Sequence, residues 1–187
     1  MNPTEELKTE HQAIKRMLQI LDKMCGKIES GEQVDPAHLD TAVEFIRVFA
    51  DKCHHGKEED LLFPAMEEAG VPREGGPIGV MLIEHTQGRD YVKNMADSAA
   101  AYRSGQREAA RAFAENARNY VSLLAQHIDK EDNILYPIAD MHISDKKKQE
   151  LHEAFERVEH EVIGHGRHEA FHEDLDRLES IYLHGPG

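Results

Sequence analysis

Histidine and glutamate stand four residues apart at two places in the chain, within two similar stretches. HHGKEEDLLFP begins at His54 and HIDKEDNILYP begins at His127, so the pairs are His54/Glu58 and His127/Glu131. On an α-helix, residues four apart lie on the same face, and each pair would direct an imidazole and a carboxylate at one point. Both groups are common ligands of metal ions. The spacing therefore predicts metal binding by helices.

A second pair of motifs extends the duplication. The dipeptide Glu10-His11 recurs as Glu84-His85 with an offset of 74 residues, and the two longer stretches are offset by 73. A nearly constant offset indicates two helical hairpins related by a pseudo-twofold axis. Four helices would then meet at one site, two of them contributing a histidine and two contributing a histidine and a glutamate.

Apolar periodicity and stop signals predict the helices that must position these residues. Apolar residues recur at spacings of three and four from residue 4 to 29, which is typical of an amphipathic helix. Asp35-Pro36 is typical of a helix start, and the second helix should kink or stop near Pro64. The segment 71–79 is rich in Pro and Gly and separates the two halves.

The second half repeats this plan. A third helix ends near residue 104, a fourth closes around Met141, and Ser144 is placed to cap a fifth, charged helix. Together these elements predict an all-α fold. We expect an up-down four-helix bundle over residues 1–142 and a C-terminal helical extension over residues 143–187 that packs on it.

Composition and net charge limit the fold class and the kinds of partner that this chain can have. The 187 residues are 40% hydrophobic and 31% charged, with no Trp, as expected of a folded helical domain rather than a disordered chain. The formal charge of −14 opposes binding to nucleic acid and to anionic membrane surfaces, because their phosphates would be repelled. We therefore expect neither nucleic acid nor membrane as a partner.

Localisation and redox state are predicted from the same reading. The first residues lack the basic start and apolar run of a signal peptide, and no apolar run is long enough to cross a bilayer, so we expect a cytoplasmic protein. Cys25 and Cys53 lie at apolar positions of different predicted helices, without CxxC spacing. We expect two reduced core thiols rather than a disulfide or thiolate ligands.

Some His and Glu residues lie four apart by chance, and such pairs must be told apart from candidate ligands. With 13 His and 36 acidic residues, HxxxE also occurs as His152/Glu156 and His165/Glu169. His152/Glu156 lies in a charged stretch and is interpreted as a surface ion pair. The two long stretches differ because their histidines and glutamates interrupt apolar stripes, where an unpaired carboxylate would be strongly destabilising. Four inward histidines and two inward glutamates, repeated by symmetry, favour a metal site.

The ligand types limit the choice of metal. Imidazole and carboxylate without thiolate suit Fe, Mn, Co or Zn rather than Cu(I), and two carboxylates facing each other across a bundle can bridge two ions. We therefore expect two metal ions. Only His54 stands ten residues before a proline as His127 does. We expect His55 to point about 100° away, behind the ligands or at the surface.

This constellation resembles the hemerythrin-like (HHE cation-binding) family over roughly residues 5 to 141. The family pattern of His, HxxxE, His and HxxxE on four helices is matched by His11, His54, Glu58, His85, His127 and Glu131. The resemblance implies a non-haem di-iron centre of two Fe ions, oxo- or hydroxo-bridged, with both glutamates bridging. It also implies one of the family's roles: oxygen carriage or storage, oxygen or redox sensing, handling of nitric oxide or peroxide, or repair of iron–sulfur clusters.

The chain departs from the oxygen-carrying hemerythrins on the third helix. Those proteins have HxxxH there, whereas the positions four before and four after the third-helix histidine are Met81 and Arg89. The matched set is one histidine short of the carriers, which puts reversible oxygen transport in doubt. His165, His168 and His172 in the extension are candidate replacements, and a solvated polar helix is the alternative interpretation.

Three functions remain open. The leading hypothesis is a cytoplasmic di-iron protein that binds and reduces O2, nitric oxide or peroxide in stress defence or in iron and iron–sulfur homeostasis, with a redox partner protein. The second is a reversible oxygen store, or a redox or oxygen sensor, without catalysis; no output domain is visible, which disfavours the sensor. The third is an iron donor or structural metal bundle. Tyr136 and Tyr120 are candidate hydrogen-bond donors to a bound ligand, although packing explains Tyr136 equally well.

Overall fold

The computed structural model describes residues 2–164 and 166–185, and within these ranges it contains six helices and no strand. α1 spans Pro3–Glu29, α3 spans Pro77–Arg103 and α6 spans Arg167–Tyr182. α2 runs continuously through Pro36–Phe45, Ile46–His55, Glu58–Leu62 and Phe63–Glu68. α4 runs through Ala109–Lys130, Glu131–Leu135 and Tyr136–His142, and α5 joins Asp145–Val158 to Glu159–Ile163. The predicted all-α bundle with a helical extension is confirmed.

Local sequence signals place the helix ends. The Asp35 carboxylate accepts a hydrogen bond from the backbone N–H of Ala37 at 2.9 Å, and a proline follows it as the first residue of α2. The Ser144 hydroxyl caps α5 in the same way. Gly31 lies just past α1 with φ of +84°, a conformation that glycine adopts without strain. These starts and stops agree with the sequence prediction.

α2 and α4 contain π-helical turns that the sequence analysis did not predict. Ile46–His55 and Glu58–Leu62 are π-helical in α2, and Glu131–Leu135 is π-helical in α4. A proline lies two residues beyond Leu62 and two beyond Leu135, and in neither case does the helix stop. A proline ring clashes with the carbonyl four residues earlier, and the wider π turn before it relieves that clash. The expected kink or stop near Pro64 is therefore replaced by a helix that continues to Glu68.

Two apolar clusters fill the interior, and the polar candidate residues lie between them. On α1, Leu7 belongs to one cluster and Ala13 begins the other, with His11 between them. On α3, His85 separates the two clusters in the same way. The bundle therefore holds its polar side chains in the middle of an apolar core, where an unpaired polar group is strongly unfavourable.

The C-terminal helices pack against the bundle. Phe155 of α5 joins the cluster around Leu7, while Phe171 and Leu175 of α6 join the cluster that contains Ala13. Gly164, with φ of +88°, ends α5 and allows the turn into α6. None of the described helices has the length and apolar character needed to cross a membrane.

Both cysteines are buried and unpaired, as predicted. Cys25 lies in α1 and Cys53 in α2. Burial raises the pKa of the Cys25 thiol to about 11 and that of the Cys53 thiol to about 12. Both thiols therefore stay protonated near neutral pH and have little reactivity.

Candidate metal centre

Seven buried side chains converge between the two apolar clusters in two adjoining groups. Within each group the ligand atoms lie within 4.8 Å of one another. The larger group, called the three-histidine group, is His55, Glu58, His85 and His127. The smaller, called the two-histidine group, is His11, His54 and Glu131. The structure thus brings together all six residues that the sequence singled out, and it adds His55.

The two glutamates face histidines of both groups. Glu131 lies 3.2 Å from His11 Nε2 through Oε2 and 2.9 Å from His127 Nε2 through Oε1. Glu58 Oε2 lies 3.4 Å from His85 Nε2 and 3.9 Å from His54 Nε2. Each carboxylate is therefore placed between the two groups, which is the position that a bridging ligand requires.

Several buried polar atoms at the centre of this cluster have no hydrogen-bond partner among the described residues. They are His54 Nε2, Glu58 Oε2 and both carboxylate oxygens of Glu131. The short approach of Glu131 to His127 does not change this, because its geometry does not make a hydrogen bond. Leaving such atoms unpaired in an apolar interior is strongly unfavourable. Cations placed among them would satisfy all four, so the residues present fit a metal centre.

Four carboxylates behind the histidines hold the rings in position. Asp132 accepts a hydrogen bond from Nδ1 of His11 at 2.7 Å, and Glu10 accepts one from Nδ1 of His54 at 2.7 Å. Glu59 accepts one from Nδ1 of His85 at 2.7 Å, and Glu84 accepts one from Nδ1 of His127 at 2.8 Å. A proton held on Nδ1 leaves the Nε2 lone pair directed at the centre. This carboxylate–histidine arrangement is the usual support of a metal-binding histidine.

The sequence analysis missed these four carboxylates, although the duplication contains them. Glu10 and Glu84 directly precede the histidines of α1 and α3 and bind the ring of the next helix in the same half. Glu59 and Asp132 directly follow the two central glutamates and bind a ring of the other half. The available signal was a carboxylate directly beside four of the predicted ligands, His11, Glu58, His85 and Glu131. Which ring each one meets depends on how the helices pack, and spacing along the chain does not encode that.

The expectation that His55 points away from the site is wrong. His55 is 4% exposed and its ring stacks on that of His85, with 4.0 Å between the centroids. A π-helix has more residues per turn than an α-helix, so neighbouring side chains diverge by less than 100° and His54 and His55 both face inward. Burial and the charges of His85 and His54 hold the pKa of His55 well below its usual value, which keeps the ring neutral, as a ligand must be.

The two groups are not equivalent, because the duplication is broken at two positions. His55 corresponds to Ile128 in the other half, so one group has three histidines and the other has two. Tyr136 corresponds to Phe63, and its hydroxyl donates a hydrogen bond to Glu58 Oε1 at 2.7 Å and lies 3.3 Å from His11 Nε2. The two-histidine group therefore has a proton-bearing hydroxyl beside it, where the three-histidine group has the Phe63 ring.

Carboxylates raise the proton affinity of three of the buried rings in the metal-free protein. Burial alone would lower the pKa of His11, but its hydrogen bond to Asp132 and the nearby carboxylate of Glu131 raise it to about 9. Burial would also lower the pKa values of His127 and His85, but nearby carboxylates outweigh it. They raise the pKa of His127 to about 8 and that of His85 to about 11. Burial would raise the pKa of Glu131, but the charge of His127 holds it well below its usual range. A metal ion must displace the ring protons to bind.

A buried lysine links the centre to the C-terminal extension. Lys57 is fully buried, and its Nζ lies 2.6 Å from Glu10, 2.7 Å from Glu159 of α5 and 3.2 Å from Glu6. The second oxygen of Glu10 accepts the hydrogen bond from His54. Burial would lower the pKa of Lys57, but Glu10 raises it, so the ammonium stays charged. The extension therefore reaches one histidine of the site through two ionic contacts.

Among the described histidines of the extension, none belongs to either ligand group. His168 and His172 lie beside each other with 3.1 Å between their Nε2 atoms, and neither belongs to the three-histidine group or to the two-histidine group. His165 lies outside the described residues. His152 approaches Glu156 at 3.8 Å and is partly exposed, in agreement with the predicted ion pair. The fifth histidine comes from α2 and not from the extension.

Comparison with known proteins bears on this site. The hemerythrin HHE cation binding domain matches residues 2–139, which hold all seven converging side chains and the four carboxylates behind them. The chain belongs to the hemerythrin HHE cation-binding family. The hemerythrin-like match ends just before α4 does, so the extension formed by α5 and α6 lies outside it.

Two relatives extend the comparison. The uncharacterized protein Rv1995 of Mycobacterium tuberculosis is 26% identical over 180 residues, which is 95% of this chain and 68% of that protein. The iron-sulfur cluster repair protein YtfE of Edwardsiella ictaluri is 30% identical over 135 residues, which is 69% of this chain and 60% of that protein. This hemerythrin-like chain thus matches less than two thirds of the YtfE protein. No solved structure gives a significant match.

Proposed function

We propose that this hemerythrin-like protein is a non-haem di-iron protein that binds and reduces a small ligand, O2, nitric oxide or peroxide. The observation that carries the proposal is the convergence of five buried histidines and two buried glutamates whose central atoms have no hydrogen-bond partner in the described part of the chain. Imidazole and carboxylate ligands suit iron. Two ligand groups that share two carboxylates favour two ions.

The two ligand groups would provide different numbers of histidine ligands to the two ions. The three-histidine group would hold one ion with three rings, and the two-histidine group would hold the other with fewer nitrogen ligands. Iron bound there would supply the electrons for reduction of the small ligand and receive them back from a redox partner protein. Because the two-histidine group offers fewer protein ligands, an ion held there would leave more room for an exchangeable ligand.

The protein supplies a proton donor at the same place. Tyr136 holds its hydroxyl proton toward Glu58, beside the two-histidine group. Burial, together with the charge of Glu58, keeps the pKa of Tyr136 well above its usual value, so the hydroxyl remains protonated. Reduction of O2 or peroxide to water consumes protons, and Tyr136 is placed to hydrogen-bond a ligand that takes one up. Phe63 offers no such group in the other half.

The biological setting is proposed from the relatives. A distant relative is named for iron-sulfur cluster repair, and this supports a role in stress defence or in iron and iron–sulfur homeostasis. We place that role in the cytoplasm.

A reactivity experiment tests the proposal. The iron-loaded protein is reduced without oxygen and then mixed separately with hydrogen peroxide, nitric oxide and O2, and consumption of each is followed with the visible spectrum. We expect at least one ligand to be consumed over several turnovers when a chemical reductant is present. The Tyr136→Phe variant should be slower with unchanged iron content, whereas Tyr91→Phe, a half-buried tyrosine of α3, should match the parent. A loaded protein that is inert toward all three ligands would contradict the proposal.

A reversible oxygen store is a second candidate, and His55 favours it. The sequence predicted four histidine ligands, one fewer than in the oxygen-carrying hemerythrins. The structure brings a fifth histidine to the centre. Repeated cycles of vacuum and re-aeration distinguish the two functions. Absorption that disappears under vacuum and returns in air over several cycles would support the store, whereas oxidation that only a reductant reverses would support reduction.

A further inference from the structure

A cavity of about 360 Å³ adjoins the three-histidine group. It lies among α2, α3 and α4, and His55, His85 and His127 form part of its wall. The cavity is thus in contact with three candidate ligands of one ion, and Tyr136 does not line it.

The cavity is larger than a diatomic ligand or peroxide needs. An apolar cavity of about 150 Å³ is enough to hold benzene, and pockets for small organic molecules begin at about 300 Å³. A volume of about 360 Å³ therefore matches a small organic molecule. Gly88 contributes to this space, since a side chain there would extend toward Tyr120 and Leu124. Glycine destabilises a helix relative to alanine, so Gly88 keeps this space open at some cost to the stability of α3.

The wall of the cavity is mainly apolar. Between the histidines and the mouth it is formed by side chains from three helices: Ile46, Val92, Ala96, Tyr120 and Leu124. Such a surface is stabilised by covering it with an apolar group and provides few hydrogen bonds to water. The body of a suitable ligand is therefore a small ring or a short alkyl chain.

The mouth of the cavity carries a local excess of unpaired positive charge. Arg47 and Lys93 are exposed at the rim, and neither forms an ion pair within the described residues. Asp97 is the exposed acid there. Arg89 is already occupied, since it binds Asp51 at 2.8 Å and a second carboxylate on α2. In a chain of formal charge −14, two free cations at one opening indicate an anionic ligand.

We propose that this cavity binds a small organic acid, with its acidic group at Arg47 and Lys93 and its apolar body over Gly88 toward the three-histidine group. The site goes beyond the proposed function, which concerns diatomic ligands and peroxide. Binding requires no electron transfer, so it is measurable whether or not the metal centre reduces anything.

Three probes of similar size and different charge test the proposal. Phenylacetate, 2-phenylethanol and 2-phenylethylamine share a phenyl ring and a two-carbon chain, and they carry a negative, a neutral and a positive group. Isothermal titration calorimetry is done on the iron-loaded protein. We expect phenylacetate to bind with a Kd of about 1 mM or tighter, the alcohol to bind more weakly and the amine most weakly.

Two variants locate the site. In Gly88→Leu the new Cβ would lie 3.6 Å from Tyr120 and 3.7 Å from Leu124, which are ordinary contacts, and the rest of the side chain would fill the cavity. We expect phenylacetate affinity to fall about tenfold or more. The double variant Arg47→Glu/Lys93→Glu should remove the preference for phenylacetate over the alcohol. Lys23→Glu, an exposed lysine on α1 that does not line the cavity, should leave binding unchanged.

Clear outcomes would overturn the proposal. If no probe binds, or if the amine binds as tightly as phenylacetate, the cavity is not a site for organic acids. If the double variant and Lys23→Glu weaken phenylacetate equally, the preference reflects overall charge and not the rim. Because the double variant changes only exposed side chains, its result decides the matter even if Gly88→Leu does not fold.

Discussion

At the scale of single residues, the centre depends on pairs of side chains rather than on isolated ligands. A histidine whose Nδ1 proton is held by a carboxylate has a fixed tautomer and a fixed ring plane, so little ordering remains to be done when a metal arrives. Four of the five rings have such a partner at 2.7 or 2.8 Å. His55 is the exception, since Asp51 lies 3.4 Å from its Nδ1.

Removing one supporting carboxylate should weaken metal binding without removing a ligand. Asp132→Ala leaves the His11 ring free to rotate and lowers its basicity, and we expect iron affinity to fall about 10- to 100-fold. Competition with a chelator, followed in the visible spectrum, measures the change. Asp129→Ala is the matched control on α4, because that carboxylate bonds only to Asn133 among the described residues. Equal affinities in both variants would contradict the supporting role of Asp132.

His55 should behave as a ligand, against the expectation from its spacing. His55→Ala removes one of three rings from the three-histidine group, and we expect iron content to fall from about two to about one per chain. Metal analysis of the purified variant gives the answer. His142→Ala, an exposed histidine that bonds to the carbonyl of Ile138, should keep the full content. Full iron content with an unchanged spectrum in His55→Ala would place His55 outside the ligand set.

At the scale of elements, the sequence predicted the helices well and their internal geometry poorly. Caps and apolar stripes depend on neighbouring residues, so the start at Asp35 and the end at Gly31 were visible. The π turns depend on packing around the centre and on the prolines that follow it. A prediction that assumes 3.6 residues per turn throughout a helix therefore misses them. That assumption is why His54 was predicted inward and His55 outward.

The burial of Lys57 is a second feature that the sequence did not predict. Lys57 lies in the charged run from Lys57 to Asp60, which has the composition of a solvated surface, yet its side chain is fully buried. Its burial follows from three glutamates that come from α1 and α5. No spacing rule connects residues that are so far apart in the chain.

Replacing this lysine should destabilise the fold. Lys57→Met leaves Glu10 buried without its cation, and breaking a buried ion pair by removing one partner costs about 3–5 kcal/mol. Urea denaturation of the loaded protein measures the loss. Lys52→Met, an exposed lysine on the same helix, should change the free energy of unfolding little. A Lys57→Met protein as stable as the parent would show that the link to the extension carries no stability.

At the scale of the whole molecule, the polar centre makes stability depend on pH and on metal together. In the metal-free protein the pKa values of His127, His11 and His85 are raised from 6.5 to about 8, about 9 and about 11. A raised pKa contributes stability that is fully present below about 6.5 and is lost as pH rises through the folded value. The metal-free protein should therefore lose stability as pH rises from about 6.5 to about 11. Metal binding should strengthen over the same range, because fewer protons compete for the rings.

Denaturation at two pH values checks this coupling. The midpoint in urea is measured at pH values of about 6.5 and about 9.5 for metal-free and iron-loaded protein. The midpoint of the metal-free protein should fall with pH, and that of the loaded protein should fall less. If the urea midpoints of the metal-free and the iron-loaded protein fall equally with pH, the ring protons and the metal do not compete for the same nitrogen atoms.

The central claim is that one bundle holds two iron ions in unequal surroundings, and metal analysis with Mössbauer spectroscopy tests it most directly. After expression in iron-replete medium and anaerobic purification, we expect about two iron ions per chain. The Mössbauer spectrum should show two iron environments of equal area, one from the group with three histidines and one from the group with two. A preparation that holds one tightly bound zinc ion and no iron, or a single iron ion in one environment, would contradict the account.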